Sequence, residues 1–393
     1  MRLAERVRDI GTETAFEAAA RARALEATGR HVIHLEIGEP DFDTPPNVRE
    51  AAKKALDEGW THYGPPLGVP ALREAIAADA TKRKAFEVDP ANVVVTPGAK
   101  PIMYFALLAL ADAGDEVIYP DPGFPIYESM TRFVGATPVP IPLREENEFR
   151  MDVEELRSLV TDRTRLIIFN SPHNPTGSVL TDADLRTIAE IAQERDITVL
   201  ADEIYGRILY EGKHTSIAAI PGMPERTIVL DGFSKTWAMT GWRLGYGILP
   251  KELVPAFSRL IINSVSCTSS FSQLAAVEAL NGPQESVDAM VEEFRARREL
   301  VVDGLNAIPG FRCLKPRGAF YVFPNVEGTG LTGSQLAEKL LNDAGVSVLS
   351  GMAFGEVGVN HMRVSYANSR ENISLALERI GEVVASLREP ARA

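Results

Sequence analysis

TIVLDGFSKTWAMTGWRLGYGILP, residues 227–250, joins a buried strand to a loop that carries two cations. Ile228, Val229 and Leu230 are a short apolar run with β-branched members and no helical period, which predicts a strand. The run breaks at Asp231 and Gly232. Lys235 stands just past the strand end, and Arg243 follows eight positions on, among Gly241, Gly245 and aromatic residues, where the chain turns back into RLGYGIL. Charged groups are costly beside apolar surface unless a partner meets them. The loop therefore asks for an anion.

Outward from this stretch, the same kind of run recurs as NVVVT, DEVIYP, TPVPI, RLIIFN and ITVLAD. Helical periodicity separates them over residues 15–28, 47–58, 70–81, 100–111, 153–159 and 182–195. Strands alternating with helices predict βα units and a mainly parallel, seven-stranded sheet covered on both faces. After about Leu280 the pattern changes to one long charged helix, ESVDAMVEEFRARRELVVDGLNAI, then the strand candidates GAFYVFPNV, VSVLS and HMRVSYA. Asn281, Gly282 and Pro283 are turn formers at that boundary. The expected division is a large α/β domain over residues 46–280 and a smaller α+β domain built from 1–45 and 281–393, with the site in the cleft between them.

Composition removes several classes of function. The chain has 393 residues and a net charge of −13, which argues against nucleic acid or an anionic membrane as partner. Cys267 and Cys313 are the only cysteines, without a CxxC pair, and the six histidines are scattered, so neither a disulfide framework nor a metal site is expected. The N-terminus has no apolar signal-peptide core, and IMYFALLALA falls short of the ~18 residues a membrane span needs. A cytoplasmic location is the expectation. No Walker A motif and no GxGxxG opening a helix is present, and a regulator with an appended DNA-binding domain is not expected.

In open parallel sheets, ligands bind at the carboxyl ends of strands. After NVVVT come Pro97, Gly98, Ala99 and Lys100 and then a helix, whose free N-terminal amides suit an anion. After DEVIYP comes DPGFPIY, which brings Phe124 to the same edge. After RLIIFN comes SPHNPTG, where Asn174 can donate and accept. ITVLADEIY ends in Asp202, Glu203 and Tyr205, and a carboxylate at a buried strand end needs a cation or good donors. An ion pair inside the fold is the alternative for Asp202. Gly98, Ser234 and Arg243 around an anion, Phe124 on a planar ring, Asp202 at a positive ring atom and Lys235 beside a carbonyl carbon describe one ligand.

The chain resembles the class I aminotransferases of the fold-type I pyridoxal-phosphate enzymes, whose cofactor, pyridoxal 5'-phosphate, has those parts. The resemblance runs in chain order through GEPDFDTP, YGPPLGVPALREAIA, PGAK, PGFPIY, NSPHNPTG, DEIY, SKTWAMTGWRLGY, GAFY and RVSYA. It implies an aminotransferase that moves the amino group of an L-amino acid to a 2-oxo acid by a ping-pong mechanism. Aspartate or a similar amino acid is the expected donor and 2-oxoglutarate the expected acceptor. By the same resemblance Lys235 forms the Schiff base and shuttles the proton, and Asp202 pairs with the pyridinium nitrogen. Asn174 and Tyr205 donate to the phenolic oxygen, and Phe124 stacks on the ring. The phosphate meets Ser234, Arg243 and the amides of Gly98 and Ala99, next to Lys100. A tyrosine at the position of Tyr63 reaches the phosphate from the other subunit, which implies a homodimer with shared active sites. Arg363 binds the substrate α-carboxylate, with Asn174 and the backbone of Gly38 beside it, and closure of the small domain over the substrate is expected. Side-chain specificity stays open between Lys100, from which some relatives contact an acidic substrate, and Glu13, whose carboxylate argues the other way. A C–S β-lyase of the same fold is the alternative activity.

Overall fold

A computed structural model of the chain describes residues 3–8, 10–11 and 13–387. In chain order its strands are β1 (Ile33–His34), β2 (Val93–Thr96), β3 (Glu116–Asp121), β4 (Thr137–Pro142), β5 (Thr164–Asn170), β6 (Thr198–Asp202), β7 (Thr227–Gly232), β8 (Gly245–Ile248), β9 (Tyr321–Val322), β10 (Val346–Ser347), β11 (Leu349–Ser350) and β12 (Met362–Ser365). Seven of them form the central sheet in the order β2-β8-β7-β6-β5-β3-β4. All point the same way except β8, which is antiparallel to both β2 and β7.

The helices are α1 (Glu5–Arg8), α2 (Thr14–Glu26), α3 (Pro46–Asp57), α4 (Pro70–Lys84), α5 (Lys100–Leu110), α6 (Ile126–Phe133), α7 (Val153–Leu159), α8 (Asp182–Glu194), α9 (Val254–Ser264), α10 (Ser270–Asn281), α11 (Glu285–Ala307), α12 (Gly333–Lys339) and α13 (Arg370–Ser386). Strands buried on both faces lose the alternation of a half-exposed sheet, because neither face needs polar residues. Leu166 and Ile168 of β5 and Leu200 of β6 pack toward α5 with Ile102 and Phe105. Their neighbours Ile167, Phe169 and Val199 pack toward α8 with Leu185 and Ile188.

The six helices read from periodicity recur as α2, α3, α4, α5, α7 and α8. The helix expected over 70–81 runs on to Lys84, where Ala85 in the left-handed region (φ 59°) ends it. The periodicity did not reveal α6, α9 or α10. α10 buries small and polar residues, Ser270, Ser272, Gln273, Ala275, Ala276 and Ala279, so it has no apolar stripe to read.

Two smaller sheets stand apart from the central one. β1 and β10 pair in parallel, and β9 and β11 flank β12 antiparallel. VSVLS is thus divided between two sheets. The N-terminal segment meets the C-terminal part through Ile33 opposite Val346. Among the described residues no helix is long and apolar enough to cross a membrane.

Candidate active site

Because β2 to β7 share one direction, Thr96, Asp121, Asn170, Asp202 and Gly232 end at one edge of the sheet, and β8 starts there. Register sets Asn170 opposite Asp202 and Asp202 opposite Leu230.

Asp202 is 8% exposed. Tyr127 Oη donates to its Oδ2 at 2.7 Å and the Ile204 N–H donates to its Oδ1 at 3.2 Å. Burial pushes its carboxyl up to about 6, with Asp231 and Glu203 adding to the rise and the two hydrogen bonds opposing it. The internal ion pair belongs instead to the next residue, Glu203, which Lys84 meets at 2.6 Å. Asn170 ties the following turn to β6: its Nδ2 donates to Asp202 O at 2.8 Å and its Oδ1 accepts from the Asn174 N–H at 2.7 Å.

Lys235 is half-buried and donates from Nζ to Gly38 O at 2.5 Å. Burial, and then the cations Arg363, Arg243 and Lys100, lower its amine to about 8 against the pull of Glu39. A side chain at residue 38 would collide with the site, since a Cβ there would lie 2.2 Å from Tyr321 Oη. That hydroxyl in turn shares a 2.8 Å hydrogen bond with Tyr205 Oη.

Arg363 on β12 is 4% exposed, with its guanidinium 4.5 Å from the Tyr321 ring centre and 4.8 Å from that of Phe354. It donates to Asn174 Oδ1 at 3.0 Å and to Glu36 O at 2.5 Å. Its Nε is buried without a partner, a donor held ready for an acceptor.

The third corner is the start of α5. Gly98 takes φ 83°, and a Cβ on it would lie 2.3 Å from Arg243 Nη2. Gly245 fits as closely against Ala99, where a Cβ would stand 2.4 Å from the backbone nitrogen. Arg243 is itself left-handed at φ 53° and donates to Thr240 O at 2.8 Å. Such a backbone costs a non-glycine residue about 1 kcal/mol or more and marks a functional constraint. Ser234 is buried one residue from Lys235.

At the mouth, half-buried Phe124 packs edge-on against Tyr127, with Lys100 Nζ 5.4 Å from its ring centre. Lys100 makes an ion pair with Glu13. Burial and Arg243 lower its ammonium below the ordinary lysine value. Tyr63 is the expected residue that lies outside this constellation, 90% exposed beside Trp60 and Cys267. Tyr127 and Phe354 carry no role in the sequence reading, nor does the carbonyl of Glu36. Tyr127 follows Phe124 by three positions where α6 begins, a spacing that sets both on one side of that turn. No sequence signal marks a backbone carbonyl.

The donors fit pyridoxal 5'-phosphate: an anion cradle in which neither residue 98 nor residue 245 has room for a Cβ, an acid at Asp202, a depressed amine at Lys235 and an orphan donor at Arg363. Residues 30–380 match the model of the family described as aminotransferase class I and II, and the chain belongs to that family. It is a pyridoxal 5'-phosphate-dependent aminotransferase. The chain is 44% identical over 381 residues to an aspartate aminotransferase of Pyrococcus horikoshii, covering 96% of each. It is 42% identical to aromatic-amino-acid aminotransferase 2 of Thermococcus litoralis, over 90% of this chain and 92% of that one. A solved aspartate aminotransferase of Thermus thermophilus with maleate superposes at a TM-score of 0.93, with 39% identity, 98% of this chain and 100% of the other covered.

Proposed function

We propose that the enzyme transfers the amino group of L-aspartate to 2-oxoglutarate, with L-glutamate as the product and as the amino donor of the reverse direction. The observation that carries this is the cation set of one cleft: Arg363, buried with an unpartnered Nε, Arg243 against Gly98, and Lys100 over the Phe124 ring. Three cations suit a phosphate, an α-carboxylate and a second carboxylate in one cleft. The relatives that bear the name aspartate aminotransferase, and the maleate of the Thermus structure, support a dicarboxylate.

The cofactor supplies an electron sink for the charge left on Cα and carries the amino group between the two half-reactions. Lys235 would hold it covalently, and a free Lys235 Nζ would take the proton from Cα. Asp202 would keep a proton on the ring nitrogen, with Tyr127 fixing the carboxylate. Asn174 Nδ2 and Tyr205 Oη would donate to the phenolic oxygen, and Phe124 would cover one ring face. Ser234 Oγ, Arg243 and the amides of Gly98 and Ala99 would hold the phosphate through charge-assisted bonds. Arg363 binds the α-carboxylate, with Asn174 orienting the guanidinium and Gly38 lending its backbone. Lys100 receives the distal carboxylate when Glu13 is displaced from it.

The division into residues 46–280 against 1–45 and 281–393, closing over substrate, belongs to the same reading. It is supported by Asp41, which pairs with Arg297 of α11 at 2.7 Å. Exposed Tyr63 fits a homodimer in which it reaches the partner's phosphate, and the setting is the cytoplasm. The purified protein should show visible cofactor absorption that L-glutamate or L-aspartate shifts to the pyridoxamine band. Absorption that neither amino acid changes, while a neutral amino acid does, would overturn the dicarboxylate reading.

A further inference from the structure

Asp202 has two carboxylate neighbours that the site does not use. Glu203 follows it at the end of β6, and Asp231 stands at the end of β7, in a register fixed by the Glu203 N–H on Leu230 O at 2.9 Å. Both side chains are buried. Lys84, the last residue of α4, reaches between them with Nζ 2.6 Å from Glu203 Oε2 and 2.9 Å from Asp231 Oδ2. Its side chain is fully enclosed.

The other groups facing this cluster are few. His214 Nε2 lies 2.8 Å from Glu203 Oε2, and Ser216 Oγ donates to Glu203 Oε1 at 2.6 Å. Tyr246 Oη donates to Asp231 Oδ2 at 3.1 Å and the Gly232 N–H to Oδ1 at 2.7 Å. Arg83 is engaged by Asp79 at 2.5 Å and acts on Asp231 and Tyr246 through space. From α6, Tyr127 faces Asp202 alone. Remove Lys84, and three carboxylates remain in the interior, with Arg83 and Arg207 as the cations that act on Asp231. Buried like charges do not all stay ionised, and the proton goes to the least well paired.

We propose that Lys84 is a positioning residue for Asp202. Its ammonium offsets part of the field of Glu203 and Asp231, so that Asp202 stays an anion for the ring nitrogen, and it ties together the ends of the two strands that lead to Asp202 and to the Lys235 loop. The inference rests on the reading of Asp202 as partner of that nitrogen. Its consequence is electrostatic: an enclosed lysine remote from substrate sets the pH range in which the cofactor is held.

The test measures binding of pyridoxal 5'-phosphate to apoprotein across pH 5 to 9, by quenching of intrinsic fluorescence. It uses the wild type, Lys84→Met, Glu203→Gln and the double variant. Common titration of the ligand cancels between variants. The acid limb of binding should move up by about one pH unit or more in Lys84→Met, down in Glu203→Gln, and return toward wild type in the double variant, from which one carboxylate leaves with the cation. A folded Lys84→Met with the limb unmoved overturns the role of Lys84. Should that variant not fold, Glu203→Gln decides, and a limb it leaves in place overturns the role equally. A wild type that binds no cofactor at any pH overturns the reading of the site itself.

Discussion

Replacing Asp202 with asparagine should stabilise the cofactor-free protein at neutral pH and destabilise it in acid. In the folded chain the Asp202 carboxyl is lifted from 3.8 to about 6 by burial and then by Asp231 and Glu203. The folded state therefore holds a proton through that window which the unfolded chain has already released, so stability falls as pH rises across it. At roughly 1.4 kcal/mol per pH unit the gap is worth roughly 3 kcal/mol, absent below pH 4 and complete above pH 6. Asparagine cannot ionise and escapes this cost. It loses one of two acceptors, since Tyr127 and Ile204 both donate to the carboxylate, at about 1 kcal/mol. Asp202→Asn apoprotein should thus be about 2 kcal/mol more stable than wild type at pH 7.5 and about 1 kcal/mol less stable at pH 4. Urea unfolding at both pH values and equal protein concentration reads the difference, in which all other titrating groups cancel. A shift of the same sign and size at both pH values would refute the argument. With cofactor bound the same variant should lose at least ~10²-fold in turnover, because a neutral amide cannot hold the ring proton.

Lys235→Ala should abolish turnover, and in the wild type the rate of covalent cofactor uptake by apoprotein should rise with pH and level off past about 8, where the Nζ is neutral; a rate flat from pH 6 to 9 contradicts the depressed amine. Arg363→Lys keeps the charge but not the planar fork, and should cost about 10²-fold in kcat/KM, mainly through KM for the amino acid. Gly38→Ala should cripple the enzyme by driving a methyl into Tyr321 Oη, and Tyr321→Phe in the same chain should restore part of the activity because that oxygen is the colliding atom. Glu13→Gln frees Lys100 and should lower KM for aspartate while leaving KM for alanine unchanged; equal effects on both would remove Lys100 from the specificity pocket.

The sheet was legible because its strands are buried on both faces, and runs such as Leu166 to Phe169 then carry nothing but apolar residues. The edge where ligands bind followed from direction alone, so Asp202, Asn174, Lys235 and Gly98 could be picked as the residues after strand ends. What stayed hidden depends on contacts between distant segments. α10 gave no stripe since it packs small residues between α3 and α4. The reversal of β8 leaves no trace in its own composition. Lys100 and Glu13 each stood out in the chain, but their pairing, 87 positions apart, did not. Tyr127 lies in the same PGFPIY motif as Phe124, and nothing in that motif distinguishes its hydroxyl from that of a core tyrosine. Lys84 resembled any lysine at a helix end until the strand register brought Glu203 and Asp231 beneath it.

The antiparallel course of β8 has a geometric meaning for the ligand. Parallel strands deliver only their last residues to the binding edge, whereas β8 delivers its first, so Arg243 arrives there by entering the sheet as the Lys235 segment leaves it. The segment 233–244 is anchored at both ends by hydrogen-bonded strands, Gly232 opposite Gly245. It works as a molecular ruler: the span between Lys235 and Arg243 is written into the length of one loop, and a residue added to or deleted from it should shift these two cations against each other while leaving every strand of the sheet intact.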